Sequence, residues 1–299
     1  MALQITFDIF SGRPNPVFIL DGAEATELLK RLQPVATTAA PTPAQPLGSV
    51  LSYRGLLIEQ IGVSNAAFPP RFRAVDGMVV APGTAHRTVE PAIEEFVLNA
   101  PSVARNAALV PELVALIREE AAHRRMAPPV RAPLASVVSA PPILKCPCAP
   151  LYEPAWWNDA GQKQLHNNCY NYACDYRTDT FAQPGRAGGT HMTAASCPGV
   201  HPAALSDALL DYTQLGSPQS PIRCPSEGHL VALVIWPRWD FHWYRMGRDG
   251  WWSHKPGSWP VTNIDNSNAP ISDPRTANRG RYTDFCSFMI VMHGHIKIN

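Results

Sequence analysis

The chain has 299 residues, 25 Lys and Arg against 24 Asp and Glu, and 45% hydrophobic residues. A formal net charge of +1 lacks the basic excess of nucleic-acid or anionic-membrane binders, so neither partner is expected. The length allows one large or two ordinary cores, and the 31 prolines, well above the usual ~5%, imply many loops.

MALQITFDIF at the start has no basic region followed by an apolar run, so no ordinary signal peptide is read there. The longest apolar stretch near the C-terminus, Leu230–Pro237, is too short to span a bilayer. The expectation is a soluble protein, cytoplasmic or exported without a classical signal. The Ala/Pro/Arg-rich first half has the texture of a GC-rich bacterial genome.

In chain order, residues 3–20 predict two strands around the turn Ser11-Gly-Arg-Pro-Asn-Pro16, from the alternation of Ile5, Phe7 and Ile9. Asp21 is placed to cap a helix whose Ala25, Leu28, Leu29 and Leu32 share one face. Residues 34–47 are a low-complexity loop, and 50–61 predict a strand pair around Gly55. Helices follow near 90–100 and 109–125. Residues 127–145 are Pro-rich and predict a linker. Residues 1–126 are therefore an accessory α+β domain, and 146–299 a second domain.

The second domain holds all seven cysteines and all eight tryptophans. The tryptophans predict a core, some of them flanking a groove. An odd cysteine count leaves at least one thiol unpaired, and without a signal peptide a disulfide framework is the weaker reading. Cys146-Pro-Cys148, Cys197 and Cys224, with His191, His201 or His229, offer a rival zinc site, but their spacing is not that of a ribbon or finger. No metal and no cofactor is assigned. Cys286 reads as a core-strand residue.

His166-Asn-Asn-Cys169-Tyr-Asn-Tyr-Ala-Cys174 predicts a helix start with Cys169 in its first turn, where the helix dipole would favour a thiolate nucleophile. Leu230–Trp236 predicts a buried strand, Phe241–Arg245 the next, with His242 on it, and Trp251–His254 a returning strand after the turn at Arg248-Asp-Gly250.

A cysteine at a helix start with His242 on a strand 73 residues later resembles the papain-like cysteine peptidase superfamily in its broad sense, including the NlpC/P60 branch, over roughly residues 150–290. Asn-Asn-Cys-Tyr stands in place of the papain Gly-Ser-Cys-Trp pattern. The resemblance implies an α+β domain with a central antiparallel sheet and a peptidase or amidase acting on a peptide or amide-containing substrate through a thioester. Cys169 would be the nucleophile and His242 the base. His254, Asn263 or Asp265 would orient His242, and Gln164 would complete an oxyanion hole. Hairpin register decides His254: Met246 opposite Trp251 turns it away from His242, and a one-residue shift turns it toward His242. The other function carried by the residues is a non-catalytic Trp-rich binding module for a glycan, cell-wall fragment or protein.

Overall fold

The computed structural model describes residues 1–34, 51–62, 64–81, 84–88, 90, 92–106, 109–126, 144–214 and 221–299. The expected low-complexity loop and most of the Pro-rich linker lie outside them. The chain is α+β, with two antiparallel sheets. It divides into two compact units. One comprises Met1–Ile9, Asn15–Gly48 and Ser52–Pro129. The other comprises Phe10–Pro14, Ser49–Leu51 and Val130–Asn299.

The first unit is built on a six-stranded sheet of order β2-β1-β3-β4-β5-β6. Its strands are β1 (Ala2–Phe7), β2 (Val17–Asp21), β3 (Leu56–Ile61), β4 (Arg71–Val75), β5 (Met78–Ala81) and β6 (Thr84–Arg87). In β1, Leu3, Ile5 and Phe7 are buried while Ala2, Gln4 and Thr6 are half-buried, the period-two signature of a one-faced strand. The helices are α1 (Gly22–Arg31), α2 (Ile93–Leu98), α3 (Pro101–Ala104) and α4 (Pro111–Met126). Asp21 is the N-cap of α1 by position, yet its side chain makes no capping hydrogen bond. The expected strand pair around Gly55 is a single strand, β3. Gly55 has φ +98° and a Cβ there would lie 2.6 Å from the Ala74 carbonyl, so it turns the chain before β3. Buried Asp8 pairs with Arg54 at 2.6 Å and Arg73 at 2.8 Å.

The second unit carries a five-stranded sheet of order β10-β9-β8-β11-β7, with β7 (Leu210–Asp211), β8 (His229–Trp236), β9 (Asp240–Met246), β10 (Trp252–His254) and β11 (Asp284–Val291). Its helices are α5 (Pro154–Trp157), α6 (Gln162–His166), α7 (Cys169–Ala173) and α8 (Cys197–Ser206). All eight residues of β8 are buried, so both sheet faces are covered, which is why HLVALVIW reads as a continuous apolar run. Val231, Leu233, Ile235, Phe241 and Trp243 pack in one core with Cys169, Tyr170 and Ala173 of α7 and Val200 and Ala204 of α8. Trp157, Trp236, Trp243 and Trp252 are buried, whereas Trp156 is 47% exposed.

Cysteine chemistry departs from expectation. Cys146 bonds Cys224 and Cys197 bonds Cys286, so two disulfides tie the second unit together. The rival zinc site loses three of its ligands to these bonds, and Cys286 is a bonded strand cysteine. Cys148 is exposed and free, and Cys169 and Cys174 are buried and free.

Candidate functional site

The most concentrated polar chemistry of the second unit is a buried chain of side chains around β9. Asp240, His242, His254, Tyr282 and Ser11 are all fully buried. Asp240, at the head of β9, receives the backbone N–H groups of Ser11 (2.6 Å), Gly12 (3.1 Å) and Arg13 (2.8 Å), and the Tyr282 hydroxyl (2.6 Å). Burial pushes its carboxyl above the ordinary range, and these four donors pull against that. The approach of residues 11–13 requires glycine: a Cβ on Gly12 would lie 2.4 Å from the Phe241 ring and 2.5 Å from its carbonyl.

From Asp240 the chain continues. Ser11 Oγ lies 2.8 Å from Tyr282 Oη and 3.1 Å from His242 Nδ1. His242 Nε2 lies 2.9 Å from His254 Nδ1, and His254 Nε2 donates to the Ile264 carbonyl at 3.0 Å. Register places the two histidines together. Trp252 pairs with Met246, so His254 stands opposite Tyr244, on the same face as His242. Of the two registers open in the sequence, the hairpin has the one that unites the histidines.

Strand alternation also separates neighbours. Phe241 and Trp243 face the core that contains Cys169, and His242, between them, turns to the other face with Tyr244. Cys169 is fully buried, and its thiol lies 3.9 Å from the Phe241 carbonyl. The expected acidified thiol is not found: burial pushes the Cys169 thiol well up, and the nearby Asp240 charge adds to it. The helix start is present, capped by a reciprocal pair in which the Asn168 side chain accepts from Asn171 N and the Asn171 side chain accepts from Asn168 N. But α7 has only five residues, too short for a substantial dipole.

The remaining predicted residues make local contacts away from the two histidines. Asp265 accepts from the backbone N–H groups of Ser267, Ala269 and Asn278 and closes a turn. Asn263 accepts the Ile271 N–H through its carbonyl. Gln164 accepts from Ala160 N, donates weakly to the Ser258 carbonyl, and its own carbonyl receives Lys255 Nζ. Sequence reasoning missed Ser11, Asp240 and Tyr282. Ser11 read only as a turn residue, and nothing local links it to partners 229 and 271 positions away. Among the described residues no cluster of three His, Cys, Asp or Glu side chains is placed to hold a metal ion, and no helix is long and apolar enough to cross a membrane.

No protein-family model matches the chain, and no solved structure matches it. Among curated proteins it is similar to insoluble matrix shell protein 1 of Ruditapes philippinarum, 44% identical over 142 residues, which take in 48% of this chain and 90% of that protein. This relationship overturns the papain-like resemblance and the bacterial thiol-hydrolase reading that came with it. A cysteine before a short helix and a histidine on a later strand are features that many α+β folds share, whereas 44% identity across nearly all of a relative ties two sequences residue by residue. The chain belongs to the family of insoluble matrix shell protein 1.

Proposed function

We propose that this protein is a non-catalytic structural component, a disulfide-tied module that assembles with or binds an extracellular matrix. The observation that carries the reading is the 44% identity to a protein named for an insoluble shell matrix, over 90% of that protein's length. Its physical support is twofold. The two disulfides suit an oxidising, extracellular setting. The residues with chemical potential are spent internally: Asp240, His242, His254 and Cys169 are fully buried, and a hydrolytic nucleophile must meet its substrate. Exposed Trp156, with Lys163 Nζ 4.4 Å above its ring, is a polar-rimmed aromatic of the kind that stacks on sugar rings.

The test treats the full-length, disulfide-intact protein with iodoacetamide at pH 6 and, in parallel, pellets it with insoluble cellulose and chitin. The expected result is no adduct at Cys169, and sedimentation with a polysaccharide that weakens in Trp156→Ala. Rapid alkylation of Cys169 that slows sharply in His242→Ala, with release of amine from an amide substrate, would replace the structural reading with a thiol hydrolase.

A further inference from the structure

The five links of the buried chain require more hydrogens than its members carry in their ordinary neutral-pH forms. The links run from Ile264 O to His254, His254 to His242, His242 to Ser11, Ser11 to Tyr282, and Tyr282 to Asp240. Each hydrogen bond needs one hydrogen between its heavy atoms. Two neutral imidazoles, a serine and a tyrosine supply about four. An ionised Asp240 supplies none. With four hydrogens, one link must bring two lone pairs face to face at 2.8–3.1 Å.

We propose that the chain holds one additional proton, shared across the His242–His254 hydrogen bond, so that this pair carries a single positive charge that is the buried counter-ion of Asp240. The hydrogens then run in order. Tyr282 donates to Asp240, Ser11 donates to Tyr282, and His242 Nδ1 donates to Ser11. The fourth proton sits between His242 Nε2 and His254 Nδ1, and His254 Nε2 donates to Ile264. The alternative, placing the proton on Asp240, is disfavoured by geometry. Backbone N–H groups converge on both carboxylate oxygens, Ser11 and Gly12 on Oδ2 and Arg13 on Oδ1, and three fixed donors favour the charged form over a protonated one.

The surroundings suit a cation. The Tyr244 ring lies 4.8 Å from the His242 ring and 5.0 Å from that of His254, and the Tyr282 ring lies 5.6 Å from His242. Among the described residues, other titratable or charged groups also lie around the chain. Arg13, on residues 10–14, turns its guanidinium to the Trp239 carbonyl. Cys169 on α7 is kept a neutral thiol by burial. Lys255, after β10, is tied to the Gln164 and Gly257 carbonyls. Asp265 and Arg279 act on Tyr244 with opposite sign. The consequence is a pH-sensitive clasp: loss of the shared proton under alkaline conditions breaks one link of the chain that runs from Ser11 through His242 of β9 to His254 of β10.

The test is ring-nitrogen NMR of the uniformly ¹⁵N-labelled full chain from pH 6 to 9, with His242→Gln and His254→Gln for assignment. At pH 8, one imidazolium is expected on the His242–His254 pair. Tyr282→Phe removes two links and one hydrogen while leaving the ring, so the three remaining links close with Ser11 and two neutral histidines, and the imidazolium should be gone at pH 8. The wild-type titration stands by itself if that variant fails to fold. Two neutral imidazoles in the wild type at pH 8, or an imidazolium that persists in folded Tyr282→Phe, would overturn the proposal.

Discussion

His229 opens β8 fully buried, and its Nε2 donates to the Ala173 carbonyl at 2.7 Å, which places the unprotonated Nδ1 toward His293 Nε2 at 3.4 Å. Burial pushes its pKa down to about 3 from 6.5. The Ala173 carbonyl resists this, and the charges of Arg245 and His293 add to it. A depressed histidine folds in the neutral form, so its contribution to stability is complete above pH 6.5 and is lost as pH falls from there toward 3. Each unit below 6.5 costs about 1.4 kcal/mol, so lowering pH from 7.5 to 5 removes about 2 kcal/mol through this residue alone. The assay is guanidinium unfolding followed by tryptophan fluorescence at both pH values, for the wild type and His229→Gln. Glutamine retains an N–H for Ala173 and does not titrate. Other groups titrate alike in both proteins, so the wild type should lose about 2 kcal/mol more than the variant. Equal losses would mean that His229 is protonated in the folded state, or solvated, and would refute the burial argument.

Three further outcomes follow from named contacts. Asp8→Ala leaves Arg54 and Arg73 buried without their counter-ion and should cost about 3–5 kcal/mol in chemical denaturation, more than Arg73→Ala, because Asp8 serves both guanidiniums. Gly12→Ala puts a methyl into the Phe241 ring and carbonyl and should lower stability by about 1–3 kcal/mol, read as a fall in the thermal midpoint. Mass spectrometry after iodoacetamide labelling of the native, non-reduced protein should find one adduct, on exposed Cys148. Two more, on Cys169 and Cys174, should appear only after unfolding, and the remaining four after reduction.

What the sequence disclosed followed the range of its signals. Strands β1, β8, β9 and β10 and helices α1 and α4 were legible, because alternation or helical spacing of buried apolar residues is a local property. The capped start of α7 was legible for the same reason: Asn168 and Asn171 are three positions apart. The meaning of Cys169 was not. A thiol before a helix gains acidity only when solvent reaches it, and burial is set by Phe241 and Trp243, far along the chain. The disulfides were not legible, because the pairing of Cys146 with Cys224 and Cys197 with Cys286 joins residues 78 and 89 positions apart and depends on tertiary proximity. His254 was open between two registers that differ by one residue, and only the strand pairing chose.

The hardest feature to foresee has the largest consequence for how the second unit is delimited. Asp240 is a fully buried carboxylate, and three of its four donors are backbone N–H groups of Ser11, Gly12 and Arg13. Asn168 and Gln183 in turn donate to the Gly12 carbonyl at 2.7 and 2.8 Å. A fragment of residues 144–299 would keep every strand of the five-stranded sheet, yet it would leave Asp240 with the Tyr282 hydroxyl as its remaining donor among those four. Stripping a buried charge of its partners costs about 3–5 kcal/mol, a large share of a domain's stability. The fragment should therefore unfold at markedly lower denaturant than the full chain. A synthetic peptide of residues 8–16 should restore part of the loss in a concentration-dependent way, because binding only the folded form stabilises it by mass action. A fragment as stable as the full chain, indifferent to the peptide, would show that water satisfies Asp240 and that the Ser11 segment is an ornament of the fold. The expected result would show that residues from opposite ends of the sequence close a single buried polar core.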